Sequence, residues 1–98
     1  MTRILCAAIH YKDGKKHEHQ PKNVKSGLVI GGFRHCQCLM VMYGLLGLGN
    51  YDKELIDQGF LTSTGRYVGR VEGLRIALRA KQVIGTIYGD KLYSENLY

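Results

Sequence analysis

Between Arg34 and about Leu46 the chain reads RHCQCLMVMYGLL, a stretch of helical length with no formal charge after its first two residues. Read as a helix, it places Cys38, Met42 and Leu45 on one side and Leu39, Met40, Tyr43 and Leu46 on another. A helix apolar over most of its circumference has to be covered, by its own core or by another subunit. The chain is only 98 residues long, and a domain of that size buries about 60–65% of its unfolded surface. A deeply enclosed central helix is hard to build at that size. The expectation is therefore a homo-oligomer with this helix at the interface.

The elements around that helix read as follows. RILCAAIHY, near the start, is β-rich and almost wholly apolar, which predicts a central strand. KDGKKHEHQPKNV is a polar hairpin or loop with Asp13-Gly14 as its turn signal. SGLVIGG is a second short strand, and LGLGNYDKELIDQG reads as a loop containing one helical turn. FLTSTGRYVG predicts a hairpin with Thr64-Gly65 near its tip. RVEGLRIALRAKQV predicts an amphipathic helix, with Val71, Leu74 and Leu78 as the apolar stripe and Arg75 and Arg79 one turn apart on a polar face. The last sixteen residues read as a β-like segment followed by a tyrosine-rich tail. These elements make one α+β domain over residues 1–98, a small antiparallel sheet with two helices, oligomeric and ligand-binding.

A net charge of +6 favours an anionic partner. Arg3 and five lysines lie in the first thirty residues, whereas Arg66, Arg70, Arg75 and Arg79 dominate the last third. Arginine is the better bidentate partner for phosphate. The cations are spread over separate segments without a nucleic-acid motif, so no nucleic-acid polymer is expected as partner. The three cysteines, Cys6, Cys36 and Cys38, have no disulfide-scaffold spacing. No stretch is apolar for long enough to span a bilayer, and no leader-like segment is read at the start, so the expected setting is a reducing cytoplasm without membrane attachment.

Cys36, Cys38, His35 and the pair His17 and His19 raise the question of a metal site. Positions 36 and 38 of a helix point about 200° apart, so both thiols cannot face one ion. The reading is core-filling thiols and solvent-facing or structural histidines, His10 included, with no metal. Cys36 near a helix N-terminus, with a cationic neighbour, has the setting of a reactive thiolate. No base, orienting group or oxyanion hole can be assigned to it, however, so no catalytic residue and no cofactor are expected. Anion binding has the stronger physical case. A strand ending in Gly31-Gly32 followed by a helix offers free N–H groups and a positive dipole end, and Arg34 adds a bidentate fork. TSTGRYVGR adds Thr62, Ser63, Arg66, Tyr67 and Arg70 within nine residues. Hydroxyls and arginines take phosphate, and an aromatic face can stack a base.

Three segments, ILCAAIHY, GGFRHCQC and QGFLTSTGRYVGRVEGLRIALRAKQV with LYSENLY, resemble in order and spacing small bacteriophage proteins of the Thoeris anti-defence sponge family. The resemblance covers most of the chain except residues 12–26 and 47–56. It implies a homo-oligomer, a dimer or hexamer, with pockets between subunits. It also implies capture, without cleavage, of a cyclic ADP-ribose-type signal in the host cytoplasm, with cyclic oligonucleotides bound by some members at separate sites. By the same resemblance Phe60 and the segment from Arg66 to Arg70 meet the base and phosphates, and Arg34 and His35 lie near a second anionic contact. The chain departs from the family pattern at Gly69, where an acidic or amide residue is usual, at Gly73, where alanine is usual, and at Asn96, where aspartate is more common. A ribose-hydroxyl contact at position 69 is accordingly not implied.

The resulting expectation is a non-enzymatic phage immune-evasion protein that sequesters a cyclic nucleotide-type second messenger. Its rival is an anti-CRISPR-like inhibitor that binds a host defence protein.

Overall fold

The computed structural model describes residues 1–47 and 52–98. Among the described residues β1 (Ile4–Tyr11), β2 (Leu28–Gly32), β3 (Ile56–Thr62) and β4 (Tyr67–Gly69) form one antiparallel sheet in the order β2-β1-β3-β4. Helices α1 (His35–Leu46) and α2 (Arg70–Arg79) complete the α+β fold, with 3₁₀ turns at Lys53–Leu55 and Ser94–Asn96. The apolar β1 sits between two partners, as its composition demands.

Side chains alternate across the sheet, and both helices take the same face. Ala7 and Val68 flank Phe60 there and pack with Leu74 and Ala77 of α2 and with Leu92. Ile9 pairs with Ile30 on the same face and packs with Cys38 and Met42 of α1. Near its start β1 carries a register shift between Ile4 and Cys6, which leaves Leu5 exposed.

The opposite face and both edges are dressed by the polar segment of residues 12–27. Asp13 and Gly14 do make its first turn, with Asp13 Oδ1 accepting from the Lys15 amide at 2.9 Å and Gly14 at φ 73°. The Asn23 side chain then donates to the Tyr67 carbonyl at 2.7 Å and accepts from its amide at 2.8 Å, pairing the free edge of β4 as a neighbouring strand would. Gln20 accepts from the Val29 amide at 2.8 Å on the other edge.

Several expectations need correction. Residues 56–59 are strand rather than loop: Ile56 and Gln58 pair with Tyr11 and Ile9. Their polar neighbours hid the alternation, and pairing with the apolar β1 decides it. The turn at Lys53–Leu55 is the one anticipated; residues 48–51 of that expected loop lie outside the described residues. On α2 the buried face is Gly73, Leu74 and Ala77, not Val71, Leu74 and Leu78. Two small residues let the helix lie close to Phe60, whereas Leu78 is left half exposed. On α1, Cys38 and Met42 are fully buried, but Leu45, expected beside them, is 65% exposed. The expected β-like segment after α2 is no strand. The Asn96 amide donates to the carbonyls of Ile84 and Thr86 instead, satisfying backbone groups that a sheet would have paired.

Candidate anion-binding site

Gly31 and Gly32 do not open a phosphate-binding turn. They are strand residues opposite Ala8 and Ala7, paired into the sheet rather than turned toward a ligand. A Cβ on Gly31 would stand 2.8 Å from Leu61 Cδ1, and one on Gly32 would stand 3.1 Å from Cys38 Sγ. The following amide, that of Phe33, donates to Gln37 Oε1 at 2.7 Å, so it is already engaged.

Arg34 is the residue before α1, and its side chain turns toward the tail. The guanidinium lies over the rings of Phe33 and Tyr98, at 4.7 and 5.1 Å from their centroids. Those rings stack on each other at 4.4 Å. Nη2 donates to the Tyr98 main-chain oxygen at 2.6 Å, while Nη1 is buried without a hydrogen-bond partner.

His35 and Arg70 form a second group. The His35 ring is buried, with Nε2 2.8 Å from the Gly59 carbonyl and its edge against Phe60. Burial pushes its pKa down and the charge of Arg70 adds to the effect, against the Gly59 hydrogen bond and the charge of Glu95. Arg70, the first residue of α2, donates to Gln58 Oε1 and lies 4.8 Å from the centroid of Tyr93, with its Nε buried and unpartnered. Tyr93 also lines a shallow pocket of about 350 Å³ with Thr86, Tyr88, Glu95 and Asn96. Phe60 is fully enclosed in the core, with no ring face open to solvent. Tyr67 lies on the opposite face of the sheet. Its hydroxyl donates to Asp57 at 2.9 Å, and burial followed by the Asp57 charge pushes its pKa far up.

The third group is the β3–β4 turn. Thr62 is buried; its hydroxyl meets Thr64 Oγ1 at 3.0 Å and accepts from the Arg66 amide at 3.3 Å. Ser63 accepts from the Arg3 amide at 2.9 Å. The threonine hydroxyls build the turn, and the Ser63 hydroxyl ties it to the start of β1. That turn sends the Arg66 side chain into an open groove of about 600 Å³, lined with Glu72, Arg75, Ile76 and Arg79 of α2 and the first two residues. Arg66 Nη2 is 3.4 Å from Glu72 Oε2.

The eight anticipated residues are therefore distributed. Thr62, Ser63 and Arg66 come together at one turn, His35, Phe60 and Arg70 at another place, and Arg34 and Tyr67 stand apart. Arg75 and Arg79 were legible only as a polar helix face. The short link from the Arg66 turn through three-residue β4 into α2 is the signal that places them beside Arg66. Among the described residues no three His, Cys, Asp or Glu side chains gather as a metal site. Cys36 is exposed and Cys38 buried, facing apart as helical spacing requires. Nor, among the described residues, is any helix long and apolar enough to cross a membrane.

Comparison with curated proteins and with solved structures gives no significant match. A family model described as phage T4 y16D protein does match, over residues 3–98. The phage kinship anticipated from three sequence segments is thereby met at the level of that family, and the chain belongs to the phage T4 y16D protein family.

Proposed function

We propose that this phage protein is an immune-evasion sponge. It binds a phosphate-bearing cyclic nucleotide-type signal, of the cyclic ADP-ribose kind or a cyclic oligonucleotide, and hides it intact from a host defence effector in the host cytoplasm. The observation that carries this reading is the groove in which Arg66, Arg75 and Arg79 converge. Three guanidinium forks around about 600 Å³ suit a phosphate-bearing guest of nucleotide size. Guanidinium groups stay protonated at any physiological pH, so they hold charge rather than shuttle protons. That chemistry favours binding over hydrolysis, and the protein is read as a non-enzyme.

The sponge is proposed to act as a homo-oligomer, a dimer or hexamer. Met40, Val41 and Leu45 on α1 are 46–68% exposed in the single chain, and an uncharged apolar helix face of this kind favours cover by another protein surface. The same face supports a second reading, an inhibitor that docks on a host defence protein.

The two readings separate in one experiment. Protein is incubated with the signal made by a bacterial TIR-domain protein, filtered, and then denatured. The sponge reading expects depletion of signal from the filtrate and recovery of unaltered nucleotide from the denatured fraction. A chemically altered nucleotide contradicts it, and so does undepleted signal; stable co-purification with a host protein and no nucleotide favours the inhibitor.

A further inference from the structure

Glu72 is the odd residue in the arginine groove. It sits in the first turn of α2, where the helix dipole favours a carboxylate, and three and seven residues later Arg75 and Arg79 follow on the same side of the helix. Its partner Arg66 is 3.4 Å away, longer than a charge-assisted hydrogen bond at its best, and the two side chains are 48% and 40% exposed. An ion pair so open and so loose is worth little. Glu72 can exchange Arg66 for another partner at small cost.

A carboxylate inside a phosphate-binding groove repels a bare anion. It becomes an asset when the ligand brings hydroxyl donors beside its phosphates, as acidic residues do when they take ribose hydroxyls in dinucleotide sites. The side chains of the groove, three guanidiniums and one carboxylate, carry two net positive charges, which complement a dianion.

Resting on the reading of the groove given above, we propose that Glu72 is its specificity residue: it accepts hydrogen bonds from ribose hydroxyls while Arg66, Arg75 and Arg79 hold a pyrophosphate diester. The groove thereby prefers a ribose-bearing pyrophosphate to inorganic phosphates.

The test is calorimetric titration of the full chain with ADP-ribose and with inorganic pyrophosphate, for the parent protein, E72Q, R75A and R79A. The proposal expects E72Q to weaken ADP-ribose about tenfold, the scale of one charge-assisted hydrogen bond, and to tighten pyrophosphate several-fold. E72D, which keeps the carboxylate, is expected to restore part of the preference for ADP-ribose. If E72Q leaves both probes unmoved or shifts them in the same direction, Glu72 does not read the ribose and this inference fails alone. If the parent protein binds neither probe, or R75A and R79A bind ADP-ribose as the parent does, the groove is not the anion site and the inference fails with it.

Discussion

The imidazole Nε2 of His35 lies 2.8 Å from the main-chain oxygen of Gly59, tying the first residue of α1 to the middle of β3. The ring also meets Phe60 edge-on, with centroids 5.1 Å apart. It thus bridges the cluster around Phe60 and the helix that carries Cys38 and Met42 into the other cluster. His35→Ala removes a buried hydrogen bond and opens space beside Phe60. The expected loss is about 2 kcal/mol, read as a lower urea midpoint at unchanged slope.

The same residue gives a pH dependence. Burial, reinforced by the charge of Arg70, holds the folded-state pKa of His35 below its ordinary value. As pH falls through about 6.5 the unfolded chain takes up the proton first. The stabilising contribution of the neutral ring is therefore complete above that pH and declines as the medium is acidified toward the lower, folded-state pKa. Denaturation at pH 7.5 and 5.5 is expected to show a larger loss for the parent protein than for His35→Gln. Equal losses contradict the assignment.

Gly59 is required where β3 pairs with β4, opposite Gly69. A Cβ there would strike the Val68 carbonyl and stand 2.6 Å from the Tyr67 hydroxyl, which is itself engaged with Asp57. Backbone cannot give way as a flexible side chain can. Gly59→Ala is expected to cost about 3 kcal/mol, seen as a strongly lowered melting temperature. An unchanged melting temperature would mean that β4 is not anchored as described.

Gly73 offers a contrast, because two effects compete there. Alanine in place of glycine favours the helix by about 1 kcal/mol, but its Cβ would stand 3.1 Å from Phe60 Cδ2 and 3.6 Å from Leu92. Phe60 is fully enclosed, so crowding is expected to prevail. Gly73→Ala should lower the melting temperature by a few degrees, and a higher one would show that Phe60 can shift.

These contacts also explain what could be read in the chain beforehand. The central strand, the short second strand, the hairpin and both helices follow from local signals: a continuous apolar run, a Thr-Gly turn, helical spacing. What stayed hidden depends on distant partners. Ile56–Gly59 look like loop until Tyr11 and Ile9 pair with them, and the segment after α2 looks like strand until Asn96 takes its carbonyls. The site behaves the same way. Arg66 stood out beside its hydroxyls, yet those hydroxyls turned out to hold the turn together, and the groove's other arginines come from the next helix. Gly31 and Gly32 invite a phosphate-loop reading because sequence cannot tell a glycine freed for a ligand from one paired in a strand, as both are, or crowded by a neighbour such as Cys38 beside Gly32.

Thiol chemistry checks the orientation of α1. Burial pushes the Cys38 thiol up to about 11, while Cys36 is exposed on the same helix. Ellman titration of the native protein is expected to label Cys36 quickly and Cys38 only on unfolding. Fast labelling of a Cys6→Ser/Cys36→Ser variant, whose one remaining thiol is Cys38, would contradict the described packing.

Arg75 and Arg79 are exposed and serve no core contact, so R75A and R79A should each leave the melting temperature within about 2 °C of the parent. Their effect belongs to ligand retention. Native mass spectrometry of protein purified from cells making the TIR-derived signal measures that retention directly. The parent is expected to fly as an oligomer carrying an added nucleotide mass, and the R75A/R79A double variant as the same oligomer without it. A parent protein with no added mass, or a double variant that keeps it, contradicts the arginine groove as the place where the signal is held.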